Sequence, residues 1–160
     1  MKNVPVSLTW GELGFAMWIG AVRQLQNLKA GRTDAHGRGA DDGWTAHIEG
    51  AAGEMALAKA MGVYWSGALG NLKADDVGPL QVRTRSSHSY DLIVHKTDPD
   101  DRAFVLLTGR APHFIARGWI RGDDAKREEW WADPAKGRPA YFVPQAELHP
   151  IEDILGEVRP

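Results

Sequence analysis

No cysteine occurs among the 160 residues. Disulfides and thiolate zinc centres are therefore both excluded, and an intracellular setting is favoured. A long apolar run is missing as well. The longest, Leu13 to Val22, is about half of the roughly 20 residues a bilayer demands. Its flanks carry neither the basic segment nor the cleavage site of a secretory signal. The expectation is a cytoplasmic protein without a membrane partner. There is no surplus of one charge, since the formal net charge is -2, and that total does not advertise a nucleic-acid binder. The chain has no Gly-rich phosphate loop, no zinc motif and no Ser/His/Asp signature. Its histidines, His36, His47, His88, His95, His113 and His149, match no metal-ligand spacing.

What is present is ordinary for a globular protein, with 43% hydrophobic and 25% charged residues. Residues 1–160 suffice for a single domain with one sizeable core. Thr9-Trp10-Gly11-Glu12 reads as a capping box that opens a helix running to about Lys29, with Gly31 as its stop. Leu13, Met17, Ala21, Leu25 and Leu28 form the expected core-facing stripe, widened by Phe15, Trp18, Ile19 and Val22. Residues 31–43, with four glycines and no apolar period, read as a loop, whose Arg32, His36 and Arg38 can reach a nucleic-acid backbone.

A second helix is expected from Asp42 or Thr45 to Gly62. Its interior glycines each cost about 1 kcal/mol relative to Ala, so Gly50 and Gly53 imply close approach of another element. Further on, Leu80 to Thr84, Tyr90 to His95, Ala103 to Thr108, His113 to Ile120 and Tyr141 to Pro144 have strand character. Lys96 to Asp101 reads as a turn that would join the second and third of these into an antiparallel hairpin. Gly122-Asp123-Asp124 caps a short helix over Ala125 to Trp131, and Gln145 to Leu155 closes in a short helix or turn. Most of the seven tryptophans, including Trp10, Trp18 and Trp119, are expected in the core. The order predicts an α/β or α+β layer around a mixed sheet of four to five strands flanked by helices.

The densest chemistry lies in Asp76-Val77-Gly78-Pro79-Leu80-Gln81-Val82-Arg83-Thr84-Arg85. Residues two apart in a strand share a face. Gln81 and Arg83 therefore project together, while Leu80, Val82 and Thr84 face the other way. An acid, an amide and a cation gathered on a half-buried strand are costly to desolvate. From Gln81 to Arg121, seven cations stand against four acids, a local excess that suits a phosphate-bearing partner.

This stretch resembles the core of the PD-(D/E)XK nuclease superfamily, in which an Asp precedes a Glu-x-Lys strand and an upstream helix supplies a Glu. Asp76 matches the Asp, Gln81 stands for the Glu and Arg83 for the Lys. Glu54, in Gly50-Ala51-Ala52-Gly53-Glu54-Met55-Ala56, matches the helical Glu. The resemblance covers roughly residues 44–121. It implies a restriction-endonuclease-like core similar to the small single-domain members found in bacteriophages, and a Mg²⁺- or Mn²⁺-dependent nuclease acting on DNA. Glu54, Asp76 and Gln81 would hold the metal, with the Val82 carbonyl as a further ligand. Arg83 would complete the catalytic set, and Arg85, His88 and Arg38 would contact nucleic acid. Because Arg stays charged at physiological pH, Arg83 fits transition-state charge stabilisation and cannot act as the general base. The exchanges at Gln81 and Arg83 also imply an alternative, a catalytically inactive nuclease-fold protein that binds nucleic acid or a protein partner. A third option is a structural salt-bridge network with no site at all.

Overall fold

The computed structural model describes residues 3–31, 40–67 and 75–156, and of residues 40–42 only the backbone. Arg32, His36 and Arg38 thus lie outside the described residues. The chain opens with strand β1 (Val4–Ser7), followed by helices α1 (Trp10–Lys29) and α2 (Ala40–Met61). Strands β2 (Leu80–Arg85), β3 (Leu92–Val94), β4 (Ala103–Arg110) and β5 (His113–Arg121) come next. A one-turn helix α3 (Gly122–Ala125), strands β6 (Trp131–Ala132) and β7 (Ala140–Val143), and a short α4 (Glu152–Leu155) complete it.

The architecture is α+β, built on a four-stranded mixed sheet in the order β1-β5-β4-β2. β2 runs parallel to β4, from Leu80 opposite Ala103 to Arg85 opposite Thr108. β5 is antiparallel to both β4 and β1, with a register shift between Leu106 and Leu107. β4 is buried from Phe104 to Thr108, as a central strand covered on both faces must be. One face holds Leu80, Val82, Val105, Leu107 and Phe114 against α2. The other holds Phe104, Leu106 and Ile120 against a second, three-stranded sheet in the order β3-β7-β6, through Leu92, Val94 and Val143. Among the described residues, the long helices lie on one face of the main sheet, and the second sheet with Ala125 of α3 covers the other.

The expected hairpin of residues 90–95 with 103–108 does not form. β3 pairs with β7 instead, and β4 takes β2 as its neighbour. A parallel pair needs a long crossover connection, and the segment containing β3 is that connection. The end of the chain also differs from expectation. The helix expected over Ala125 to Trp131 breaks into α3, a 3₁₀ turn at Glu128–Trp130 and β6. Val63 to Trp65, after α2, has no regular structure.

Thr9 caps α1 as expected. Its hydroxyl accepts from the Glu12 amide at 3.2 Å, and the Glu12 carboxylate accepts from the Thr9 amide at 2.7 Å. The buried face of α1, however, is Ala16, Ile19, Gly20 and Gln24, while Met17, Trp18, Leu25 and Leu28 are exposed. Close approach explains this inversion of the expected stripe. A Cβ on Gly20 would sit 2.6 Å from the Ile48 Cα of α2, so only small residues fit between the helices. α2 is packed on both sides, with Ala51, Ala52, Ala56 and Leu57 wholly buried. Gly53 lies against the Thr84 side chain, as an interior glycine was expected to, whereas a Cβ on Gly50 would meet nothing. Trp10, Trp18, Trp44 and Trp131 are exposed and Trp65 is buried, so the tryptophans are mostly not core residues. No described helix is long and apolar enough to cross a membrane.

Candidate functional site

β2 ends the strand order, and its outer edge is where the acids gather. Gly78, at φ +53, supplies a turn that folds Asp76 and Val77 back on Leu80. The Leu80 carbonyl accepts from the Asp76 amide at 3.0 Å, and the Val77 carbonyl accepts from the Leu80 amide at 2.9 Å. This return places Asp76 Oδ2 2.7 Å from the Val82 amide, which donates to it. A strand-edge donor is thereby satisfied by a carboxylate rather than by another strand.

Asp76 has its pKa pushed up to about 7. Loss of surrounding water is the largest cause, and the nearby charge of Glu54 is the second. The Val82 amide, Arg83 and Arg23 act in the opposite direction without cancelling the shift. Glu54 is only 6% exposed. It is gripped by a guanidinium fork in which Arg23 Nη1 donates to Oε1 at 2.9 Å and Nη2 to Oε2 at 2.8 Å. The Trp65 indole donates to Oε2 at 3.2 Å, and Arg23 Nη2 also reaches the Gly67 carbonyl at 2.6 Å. Burial tends to lower the pKa of Arg23, but its hydrogen bonds and charge pairing with Glu54, aided by Asp76, leave it raised.

Gln81 and Arg83 share a face as expected, but that face looks away from α2. The Gln81 amide nitrogen donates to Asp75 Oδ1 at 2.7 Å, and Arg102 Nε donates to the same oxygen at 3.0 Å. Arg83 Nη2 donates to Asp98 Oδ2 at 2.9 Å, with its guanidinium over the Phe104 ring at 5.0 Å. Asp98 Oδ2 also accepts from the His95 amide at 2.8 Å. Arg83 Nη1 touches the Val82 carbonyl at 3.4 Å, so this cation does reach round toward the edge. Its buried Nε has no hydrogen-bond partner among the described residues.

Of the residues singled out from the sequence, the fold brings Glu54 and Asp76 together at this edge, with Arg83 close enough to act on Asp76. Gln81 belongs to the separate Asp75–Arg102 network. Arg85 and His88 sit at the other end of β2. Arg85 donates to the Asp91 carbonyl at 2.7 Å and covers the Tyr90 ring, and His88 Nδ1 meets the buried Thr108 hydroxyl at 3.0 Å. Arg117 Nε donates to that same hydroxyl at 2.8 Å. Arg38 lies outside the described residues. Among the described residues, no three His, Asp or Glu side chains converge as a metal cluster.

The residues that hold the site were not evident beforehand. Arg23 is the one cation between Glu12 and Lys29, and it lies on the small-residue face that the apolar stripe does not mark. Asp75, Asp98 and Trp65 carry no pattern that names their charged partners, Arg102, Arg83 and Glu54, which lie 27, 15 and 11 residues away. Compared with protein-family models, with curated proteins and with solved structures, the chain matches none significantly.

Proposed function

We propose that the chain is a metal-dependent nuclease that cleaves DNA, with its centre at the outer edge of β2. The observation that supports this best is the Glu54–Asp76 pair, in which burial first and the charge of Glu54 second push the pKa of Asp76 up to about 7. Such a pair disfavours the metal-free fold, and paired acids of this kind are a common mark of functional sites. Asp76, Glu54 and the Val82 carbonyl are hard oxygen donors suited to Mg²⁺ or Mn²⁺, whereas Gln81 is held by Asp75 away from them. Bound there, the ion would supply a polarised phosphoryl oxygen and a water of lowered pKa. With one oxygen of Asp76 on the Val82 amide, the other is the end directed to a cation. Glu54, held by Arg23, contributes negative charge directly or through water. Arg83 stabilises charge building on the phosphate, and its pairing with Asp98 aims the guanidinium.

A second reading rests on a different observation. The Arg23 fork already neutralises Glu54, and Asp98 already neutralises Arg83, as in a nuclease-like domain that binds a partner without cutting it. Cleavage of fluorescent duplex and single-stranded DNA, with enzyme in excess and with Mg²⁺, Mn²⁺ or chelator, separates the two. We expect weak metal-dependent cleavage, abolished in Asp76→Ala and Glu54→Ala. Cleavage should persist in Arg83→Lys, which keeps a cation beside the phosphate. No cleavage by either the native chain or Arg83→Lys would defeat the enzyme reading and leave the binding one.

A further inference from the structure

The outward face of α1 leaves an extended apolar surface in water. Trp10 is 77% exposed, Trp18 57% and Leu25 55%, and Phe15, Met17 and Leu28 are each at least 40% exposed. At roughly 200 Å² per large side chain, these six expose on the order of 600 Å². That is the upper end of the ~300–600 Å² patch a monomer usually shows. With a polar margin it approaches the ~800 Å² that each partner of a stable interface buries. The face carries no charge between Glu12 and Lys29, because Arg23 turns inward to Glu54.

The residues along this face are ordered. Gly11, Gly14, Trp18, Ala21, Leu25 and Leu28 follow one another at spacings of three, four, three, four and three, the heptad rhythm of paired helices. Gly11 and Gly14 are not required by anything within the protomer, since a Cβ on either would meet nothing within 4 Å. Glycine disfavours a helix interior, where Gly14 stands, and together with Gly11 in the first turn it leaves room for a neighbour's side chains.

The seam is also complementary to itself. When a second copy is turned end for end about an axis between Trp18 and Ala21, Gly11 falls opposite Leu28, Gly14 opposite Leu25 and Trp18 opposite Ala21. Twofold symmetry repeats each pair in reverse. Every pair sets a large side chain against a small one, and the helix dipoles oppose each other favourably. A parallel pairing would crowd Trp18 on Trp18 and leave the glycine ends gaping. We propose that the chain forms an antiparallel homodimer through the outward face of α1.

Sedimentation of the full chain at micromolar concentration tests this, with a dimer expected. Leu25→Glu changes an exposed side chain and should raise the dissociation constant at least tenfold while leaving the circular dichroism unchanged. Gly14→Leu favours the protomer's own helix yet fills the partner's space, so it should weaken the dimer while raising the thermal midpoint of the monomer. Orientation is read by cross-linking, because the native chain has no cysteine. Gly14→Cys mixed with Leu25→Cys should form a mixed disulfide at least tenfold faster than either forms one alone. A native chain that is still monomeric at about 100 µM, a concentration at which a micromolar dimer would be nearly complete, would overturn the proposal. So would a dimer indifferent to Leu25→Glu, or one in which Leu25→Cys links to itself as readily as to Gly14→Cys.

Discussion

Replacing Asp76 by Asn should stabilise the metal-free protein, and only at neutral to alkaline pH. The folded pKa of Asp76 is about 7 against an ordinary value of 3.8. A carboxyl whose folded pKa is raised binds its proton more tightly in the native state. Its favourable contribution is therefore complete below pH ~4 and is lost as pH rises through ~7. At about 1.4 kcal/mol per pKa unit, ionising it in the fold costs on the order of 4 kcal/mol by pH 8. Asparagine carries no charge and keeps an oxygen for the Val82 amide, so it removes most of that cost without orphaning a donor. Allowing for imperfect replacement, we expect Asp76→Asn to exceed the native protein by about 2–4 kcal/mol at pH 8. That is roughly 4–16 °C in the thermal midpoint for a chain of this size. The difference should shrink toward zero at pH 4, where the native carboxyl is already neutral. Paired thermal melts from pH 4 to 8.5 in chelator read this difference directly. A variant less stable than native at pH 8, or equally advantaged at pH 4, would refute the placement of Asp76 beside Glu54.

Other consequences are testable in the same preparations. If Asp76 must lose its proton to hold a cation, the thermal shift produced by Mg²⁺ or Mn²⁺ should be large at pH 8 and fade below pH 7. An equal shift at pH 5.5 would count against Asp76 as a ligand. Arg23→Ala leaves Glu54 buried without its guanidinium and should cost about 3–5 kcal/mol in denaturant unfolding at pH 7. Adding Glu54→Gln to that variant should restore part of the loss, and no restoration would mean the damage lies in packing. Gly53→Ala drives a methyl into Thr84 and should cost about 1–3 kcal/mol despite the better helix propensity. Thr84→Ala in the same chain should relieve it.

The recognisable part of the site was the part that is local. Asp76, Gly78 and the alternation from Leu80 to Thr84 lie within one turn and one strand, so their relative placement follows from backbone geometry. Glu54 was found because a helix of small residues has few reasons to carry a buried acid. Arg23 and Asp98 were not found, since each meets its partner across 31 and 15 residues of sequence respectively. Gln81 was grouped with the acids on a shared strand face, but α2 covers the opposite face and Asp75 claims its amide.

Composition and short-range pattern alone determined that this is a cysteine-free chain of mixed helix and strand, that Thr9 opens its first helix, and that one acid-led turn feeds a half-polar strand. These depend on hydrogen bonds and periodicities spanning a few residues. Only the tertiary structure decided which side of α1 is buried, because an apolar face in a sequence does not say how near the neighbour comes. At Gly20 the nearness of Ile48 selected small residues and left the large ones outside. Strand pairing was likewise decided at long range, by a crossover that carries β3 away and sets β2 beside β4. The proton affinity of Asp76 belongs to the same category. It is set by the charge of Glu54 and the water excluded around it, and both are brought there by elements remote in the chain.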